Sequence, residues 1–194
     1  MNSGNKPIGV VPLGEVCELT VKSIAAHVLG YFHLDAFILP PMEHPMYAYE
    51  ERRHQYDAGA IIAAMESLSF PQCDKVIGVV DLDLFIPIFA HVFGEARQGS
   101  RAALVSIYRL KHSSSTLQEA LNLQMERAAK VGLHELGHLY NLHHCMDALC
   151  LMHFSGGLED LDQTPLYLCR YCSIYLRDAL SVKKRHEKAA NVSP

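Results

Sequence analysis

A long helical pattern ends in the residues His134-Glu135-Leu136-Gly137-His138-Leu139-Tyr140-Asn141-Leu142-His143-His144. His134 and His138 are four positions apart, so one helical turn separates them and both imidazoles project from the same face. Glu135 follows the first histidine, where its carboxylate can reach a water molecule on a shared metal ion without binding the metal itself. This spacing predicts a zinc site on the last turns of a helix.

His144 is the predicted third ligand. A continuing helix would rotate it away from His134 and His138, so the chain must turn sharply before it. We place that turn at Asn141, since asparagine is among the non-glycine residues that best tolerate a positive φ. Three neutral imidazoles leave one tetrahedral position open, as a catalytic zinc requires. His143 is interpreted as exposed or as lying just outside the ligand set.

The reaction that this constellation predicts is hydrolysis of a peptide bond. A zinc-activated water would attack the carbonyl, with Glu135 as the general base that then passes the proton to the leaving amine. One alternative stays open because spacing indicates metal binding more directly than turnover. It is a zinc-binding protein with little or no peptidase activity, either a binding module or an enzyme for another amide. A base deaminase would need His-x-Glu and cysteine ligands on its catalytic metal, which this motif does not offer.

Four cysteines that follow the histidines predict a second metal site, formed by Cys145, Cys150, Cys169 and Cys172. Four thiolates in two pairs match a closed structural zinc site, which has no open position for chemistry. Two disulfides, or unrelated buried thiols, are the alternative. Since Cys145 is bonded to His144, we expect the structural zinc ion to help fix the direction of the third catalytic ligand. Cys17 and Cys73 lie in apolar surroundings and are predicted to be small core residues.

The rest of the chain reads as an α/β domain with a mixed sheet. Apolar runs predict strands at 8–13, 36–39, 75–80 and 102–110, with an interrupted one at 85–93. Helical spacing predicts helices at 17–29, at 57–67 with Asp57 as N-cap, and at 116–142 after a capping run at 113–116. The polar segment 42–56 is predicted to be a loop. Residues 143–172 are rich in cysteine and histidine and lack regular apolar periodicity.

Length and composition limit the classes of protein and partner. The chain has 194 residues, 49% of them hydrophobic and 20% charged, with a net charge of −4. That suits one domain with a small appendage, and it argues against disorder and against a nucleic-acid partner. The run Lys183-Lys184-Arg185 is interpreted as a solvated helix end. With no long apolar stretch, no visible signal peptide and six cysteines, we expect a reducing, cytoplasmic location and no membrane partner, and the oligomeric state stays open.

Taken together, the motifs resemble the archaemetzincins, a family in the metzincin clan of zinc metallopeptidases. The shared pattern is HExxHxxGxxHC, a nearby cysteine, a methionine two residues on and a closing C-x-x-C. This chain departs from it in having Asn141 in place of the glycine, and a slightly shorter gap between Met152 and Cys169. The resemblance covers residues 134–172. It implies two zinc ions per chain, one catalytic and one structural, and a peptide or protein substrate.

The resemblance also implies a metzincin-like zincin fold. An N-terminal subdomain, residues 1–142, would hold a mixed β-sheet and helices, including a long active-site helix. A small C-terminal subdomain, residues 143–194, would hold the Cys₄ zinc site and a terminal helix. Met152 would form the Met-turn, an apolar floor beneath the zinc ion, although an ordinary core methionine reads the same in sequence. An edge strand at 91–96 would line the cleft and bind an extended peptide, though a plain sheet strand fits as well.

Overall fold

The structure of the chain, a computed structural model, describes residues 6–111 and 116–190, with side chains described as far as residue 181. Strands and helices alternate along much of this length, which is the predicted α/β arrangement. The strands in these ranges are β1 (Ile8–Pro12), β2 (Ala36–Ile38), β3 (Tyr49–Glu50), β4 (Gln55–Asp57), β5 (Val76–Val80), β6 (Leu84–Ile86), β7 (Phe89–Val92), β8 (Gly94–Ala96) and β9 (Ala102–Ser106). The helices are α1 (Glu18–Phe32), α2 (Ala58–Ser67), α3 (Leu117–Leu139), α4 (Leu158–Gln163) and α5 (Arg170–Ala190).

A five-stranded sheet in the order β2-β1-β5-β9-β8 organises the molecule. Its first four strands are parallel, and β8 runs antiparallel to β9 at the edge, so the predicted mixed sheet is confirmed. β5 and β9 are buried along their whole length. They are buried because α1 and α3 cover one face of the sheet and α2 covers the other.

Both predicted N-caps start their helices. The Asp57 carboxylate accepts a hydrogen bond from the Ala60 backbone N–H at 3.1 Å, and the Thr116 hydroxyl accepts one from the Glu119 N–H at 3.2 Å. Each cap satisfies a backbone donor that the first helical turn leaves without a partner. The other members of the predicted capping run, residues 113–115, lie outside the described residues. α3 ends at Leu139, earlier than the predicted 142.

A second, smaller sheet in the order β3-β4-β6-β7 differs from the sequence prediction. The segment 42–56 is not all loop, since β3 and the start of β4 lie in it. Both strands are too short to carry an alternating apolar pattern. The interrupted run at 85–93 is a hairpin, in which β6 and β7 pair antiparallel on either side of Pro87. The strand predicted at 102–110 is too long, because the chain leaves the sheet after Ser106.

The part of the chain after α3 packs against the face of the sheet that carries α3. Its buried residues join the same apolar cluster, and they include Cys150, Leu151, Met152, Leu161, Cys172 and Leu176. α5 includes residues 183–185 in its backbone, but their predicted solvation lies outside the described side chains. No helix in the described ranges is long and apolar enough to span a membrane. The expectation that there is no signal peptide concerns the N-terminal residues, and residues 1–5 lie outside the described ranges.

One minor prediction is wrong. Cys17 is exposed and stands directly before α1, so it is not a core residue, whereas Cys73 is buried as predicted. The buried apolar residues that follow Cys17, such as Val21 and Ile24, belong to a helix that starts one residue later, whereas Leu19 is exposed, as is the Cys17 thiol.

Candidate metal centres and active-site cleft

Three imidazoles converge where α3 ends. The Nε2 atoms of His134 and His138 lie 3.1 Å apart, and those of His138 and His144 lie 3.3 Å apart. A tetrahedral zinc ion with Zn–N bonds of about 2.0–2.1 Å separates its nitrogen ligands by about 3.3 Å. The three atoms therefore have the spacing of a zinc site, on the residues that the sequence spacing brings forward.

The other ring nitrogens fix how two of the rings are protonated. The Nδ1 atoms of His134 and His138 lie 2.8 and 2.7 Å from the carbonyl oxygens of Leu151 and Leu142. Since a carbonyl only accepts, each Nδ1 carries the proton and each Nε2 presents a lone pair. Burial lowers the pKa of His134 to about 3 and also lowers the pKa of His138 and of His144. Neutral rings whose lone pairs face one another repel unless a cation lies between them, so the donor set fits a metal ion.

Glu135 lies in a closed environment beside the three histidines. Burial raises the pKa of its carboxyl well above the ordinary value, and the charge of Glu95 acts in the same direction. The edge strand comes close at Gly94, where a Cβ atom would lie 2.8 Å from the Glu135 Oε1 atom. A carboxylate with so little solvent is strongly basic, which suits a group that takes up a proton.

The predicted turn after α3 is confirmed at Asn141, which has a φ of 65°. The Asn141 N–H and the Gly99 N–H both donate to the His138 carbonyl, at 2.9 and 3.0 Å. Gly99 also has a positive φ, 69°, and a Cβ there would lie 2.6 Å from the Asn141 side-chain oxygen. The loop between β8 and β9 thus contacts and stabilises the turn that leads to His144.

Gln98, in that same loop, is a site residue that the sequence analysis missed. Its side-chain amide nitrogen lies 3.1 Å from the Leu142 carbonyl and 3.0 Å from the His138 Nδ1 atom. Because Nδ1–H of His138 donates to the Leu142 carbonyl, Gln98 donates to the same oxygen and helps to fix it. No motif in the sequence marks Gln98, since only the fold brings it next to the helix end.

Met152 lies directly against α3. It is fully buried, and its sulfur is 2.5 Å from the position that a Cβ atom on Gly137 would occupy. Gly137 precedes His138, so the methionine packs under the turn of helix that carries the histidine pair. Because Gly137 has no side chain, the Met152 sulfur can come this close to the helix.

The four predicted cysteines also come together. Their sulfur atoms all lie within 4.8 Å of one another, and those of Cys145 and Cys169 are 3.8 Å apart. Zinc–sulfur bonds of about 2.3 Å in a tetrahedron give sulfur separations of about 3.8 Å. Burial raises the pKa of Cys150 and of Cys172, so thiolates here need a cation to offset the loss of solvent. All the cysteines are free rather than paired in disulfides, so the group fits a closed zinc site.

The two clusters share one stretch of backbone, residues 144–152. Cys145 follows His144, and the Cys145 N–H donates to the Met152 carbonyl at 2.8 Å. Leu151 stands between Cys150 and Met152, and its carbonyl is the one that accepts from His134. The stretch that carries two of the cysteines therefore also positions two of the three histidines.

A cavity of about 640 Å³ runs past the three histidines and Glu135. Residues 86–98 form its upper rim and residues 143–164 its lower rim. The strand expected at 91–96 is in fact two strands, since His91 and Val92 end β7 in the small sheet. Only Gly94–Ala96, as β8, forms the edge of the main sheet. His143 is exposed and lines the cavity.

Comparison with known proteins shows what this chain is similar to. Residues 26–178 match peptidase family M54. An archaemetzincin from Archaeoglobus fulgidus is 31% identical over 158 residues, which are 81% of this chain and 91% of that protein. The crystal structure of the archaemetzincin from Methanopyrus kandleri matches with a TM-score of 0.81 and 30% identity, covering 93% of this chain and 98% of that one. The malonate complex of the Archaeoglobus fulgidus archaemetzincin matches with a TM-score of 0.75 and 31% identity, covering 87% and 99%.

Proposed function

Because the chain belongs to peptidase family M54, the archaemetzincins, it is a zinc metallopeptidase, and we propose that His134, His138 and His144 hold its catalytic zinc ion. The observation that carries this proposal is the convergence of the three Nε2 atoms at zinc-ligand spacing. When bound there, the ion would supply a Lewis acid that polarises the peptide carbonyl and makes a water molecule more acidic.

Glu135 is the general base of the proposed reaction. Its carboxylate takes the proton from the attacking water and then gives it to the nitrogen of the leaving amine, so the same group serves in both steps. Two observations support this role. Glu135 stands next to His134 on the helix, and burial has made its carboxyl a better base than an exposed glutamate.

The peptide substrate is proposed to bind as an extended chain along β8. This strand has a hydrogen-bonded neighbour on one side only, β9, among the described residues. An edge strand offers free main-chain donors and acceptors to an added strand, and β8 lines the cavity beside Glu135. Main-chain pairing of this kind would hold the scissile bond next to the histidines without selecting particular side chains.

The cysteine cluster is proposed to hold the second, structural zinc ion, and Met152 to be the apolar floor under the catalytic one. Four sulfur ligands leave no open position, so the second ion stabilises the fold and takes no part in chemistry. On this proposal the chain divides at the end of the helix, residues 1–142 and 143–194. The positive φ at Asn141 supports that division, as does the lack of sheet strands between residues 142 and 190. A reducing, cytoplasmic setting is part of this proposal, because a cysteine set that binds zinc needs reduced sulfur atoms.

The variant Glu135→Ala tests the proposed function. We expect hydrolysis of an unstructured peptide to fall by about 10³-fold or more, because the general base is lost, while zinc content stays at two ions per chain. Peptide cleavage and metal analysis of the same preparation measure both effects. Glu43→Ala, which changes an exposed glutamate outside the cleft, is the matched control and should keep full activity. Unimpaired cleavage by Glu135→Ala would exclude the proposed base.

A further inference from the structure

Two phenylalanine rings bridge the cleft next to the histidines. Phe89, at the start of β7 on the upper rim, stacks on Phe154 of the lower rim, with ring centroids 6.1 Å apart and planes inclined by 28°. The Phe154 ring also meets the His144 imidazole edge to face, at 5.3 Å. A continuous line of ring contacts thus runs from the β6–β7 hairpin, across the cavity, to the third histidine.

These rings are not part of the apolar core. Phe89 is 45% exposed and Phe154 is 48% exposed, whereas Phe32 and Phe85 are 4% and 8% exposed. Both exposed rings line the cavity rather than the outer surface. Apolar aromatic surface that stays open to solvent inside a cleft is a surface for contact with a ligand.

The two rings are held differently. Backbone carbonyls at Phe89 and Ala90 accept hydrogen bonds from Arg53, at 3.4 and 3.3 Å, and Gln55 donates to Ala90 at 2.9 Å. The Phe89 backbone is therefore fixed from behind. Phe154 lies in an irregular segment between Met152 and α4, and its neighbours His153 and Ser155 contact the Cys145 carbonyl and the Thr164 hydroxyl at 3.0 and 3.1 Å. The Phe154 ring itself is held by ring contacts with Phe89 and His144, so rotation of this side chain is the movement that opens the pair.

We propose that Phe154 determines specificity, selecting extended peptides that carry an aromatic side chain next to the cleaved bond, and that Phe89 covers the Phe154 ring when no peptide is bound. This inference rests on the proposed function and names a substrate class for the same site. A peptide that enters the cleft separates Phe154 from Phe89 and so loses their contact. An aromatic side chain of the peptide replaces the Phe89 ring by stacking on Phe154, whereas a small or charged side chain leaves the Phe154 ring exposed.

The chain contains no tryptophan, so a peptide with a single tryptophan reports its own binding by fluorescence. We would use the full chain loaded with zinc and carrying Glu135→Ala, so that bound peptide is not cleaved. Two blocked peptides of glycine, serine and glutamine differ at one central position, tryptophan or alanine, and the alanine peptide is measured by competition. We expect the tryptophan peptide to bind about fivefold more tightly, which corresponds to ~1 kcal/mol.

Substitutions of the two rings should have different effects. Phe154→Ala removes the stacking surface, so the preference for tryptophan should fall below about twofold. Phe89→Ala removes only the contact that the peptide has to separate, so both peptides should bind more tightly and the preference should persist. Tyr31→Ala is the matched control. Tyr31 is also 45% exposed and stacked on a neighbouring ring, that of His27, but it lies on α1 outside the cleft.

The proposal is overturned if the parent shows no preference for tryptophan, or if the preference survives in Phe154→Ala. A general loss of folding in Phe154→Ala would weaken the binding of both peptides equally. In that case the tighter binding of both peptides expected for Phe89→Ala becomes the test of the proposal. Unchanged binding of both peptides by Phe89→Ala would overturn it as well. Failure of the proposed function is seen separately, as cleavage that persists in the Glu135→Ala chain, whatever the binding preference.

Discussion

At the level of single residues, the site depends on glycines that let other atoms come close. Gly94 brings the edge strand to the Glu135 carboxylate, and Gly137 brings the Met152 sulfur under the helix. In both places a side chain of any size would overlap an atom of the site. The glycines are therefore as much a part of the site's geometry as the residues that carry its chemistry.

Gly137→Ala should destabilise the fold by about 1–3 kcal/mol, because the new Cβ overlaps the Met152 sulfur and forces the floor away from the helix. Chemical denaturation of the zinc-loaded chain measures the change. Gly30→Ala is the control, since Gly30 lies in α1 with no atom within 4 Å of its would-be Cβ. There alanine should stabilise the protein by about 0.5–1 kcal/mol, through helix propensity alone. Equal effects of the two substitutions would show that Met152 does not pack as described.

At the level of elements, the lower wall of the cleft is held by an ion pair whose arginine is buried. The Arg127 guanidinium on α3 donates two hydrogen bonds to the Asp162 carboxylate on α4, at 2.7 and 2.6 Å. The Arg127 side chain is only 3% exposed. A second pair, Arg109 and Asp83, has the same two-pronged geometry at 2.6 and 2.7 Å, but its arginine is 42% exposed. In the first pair the arginine is buried and the carboxylate of Asp162 is 37% exposed, whereas in the second pair the arginine is exposed and the carboxylate of Asp83 is 15% exposed. Loss of the carboxylate therefore leaves a buried cation only in the first pair.

Asp162→Asn should cost about 2–3 kcal/mol of stability, because it leaves the charge of Arg127 buried without its carboxylate. Asp83→Asn should cost less than about 1 kcal/mol, since solvent can reach Arg109. Thermal and chemical unfolding of both variants measure the difference. Loss of the ion pair that holds α4 should also weaken peptide binding, because Leu161 of that helix lines the cavity. If the two variants lose the same stability, burial of Arg127 is not what makes the first pair matter.

Sequence alone predicted the elements whose signals are local. The histidines at 134, 138 and 144 and the four cysteines follow fixed spacings, and α2 and α3 begin at recognisable N-caps. Features that depend on contacts between distant segments were not predicted. Gln98 reaches His138 only because a loop folds onto the helix end, and Phe89 meets Phe154 only across the finished cleft. The strands β3 and β4 were missed because two or three residues are too few to show a period.

At the level of the whole molecule, the two proposed metal sites share one segment of backbone. Residues 144–152 carry one histidine and two of the cysteines, and the Leu151 carbonyl orients a second histidine. Groups that orient a metal-binding histidine affect how tightly that histidine binds the metal. Loss of order in residues 144–152 should therefore weaken the binding of the proposed catalytic zinc ion. The reverse effect should be weaker, because the cysteines are also tied to α5 through Cys172.

Cys169→Ser should therefore lower zinc at both sites. We expect the structural ion to be lost and the affinity of the catalytic site to fall by about 10–100-fold, because Leu151 and His144 are no longer held in place. His144→Ala should lose only the catalytic ion, leaving one zinc per chain on the cysteines. Metal analysis after dialysis against graded chelator measures both sites, and Cys17→Ser, which changes an exposed thiol far from either cluster in sequence, is the control. Catalytic-site affinity that is unchanged in Cys169→Ser would mean that the histidines are positioned by α3 and its turn alone.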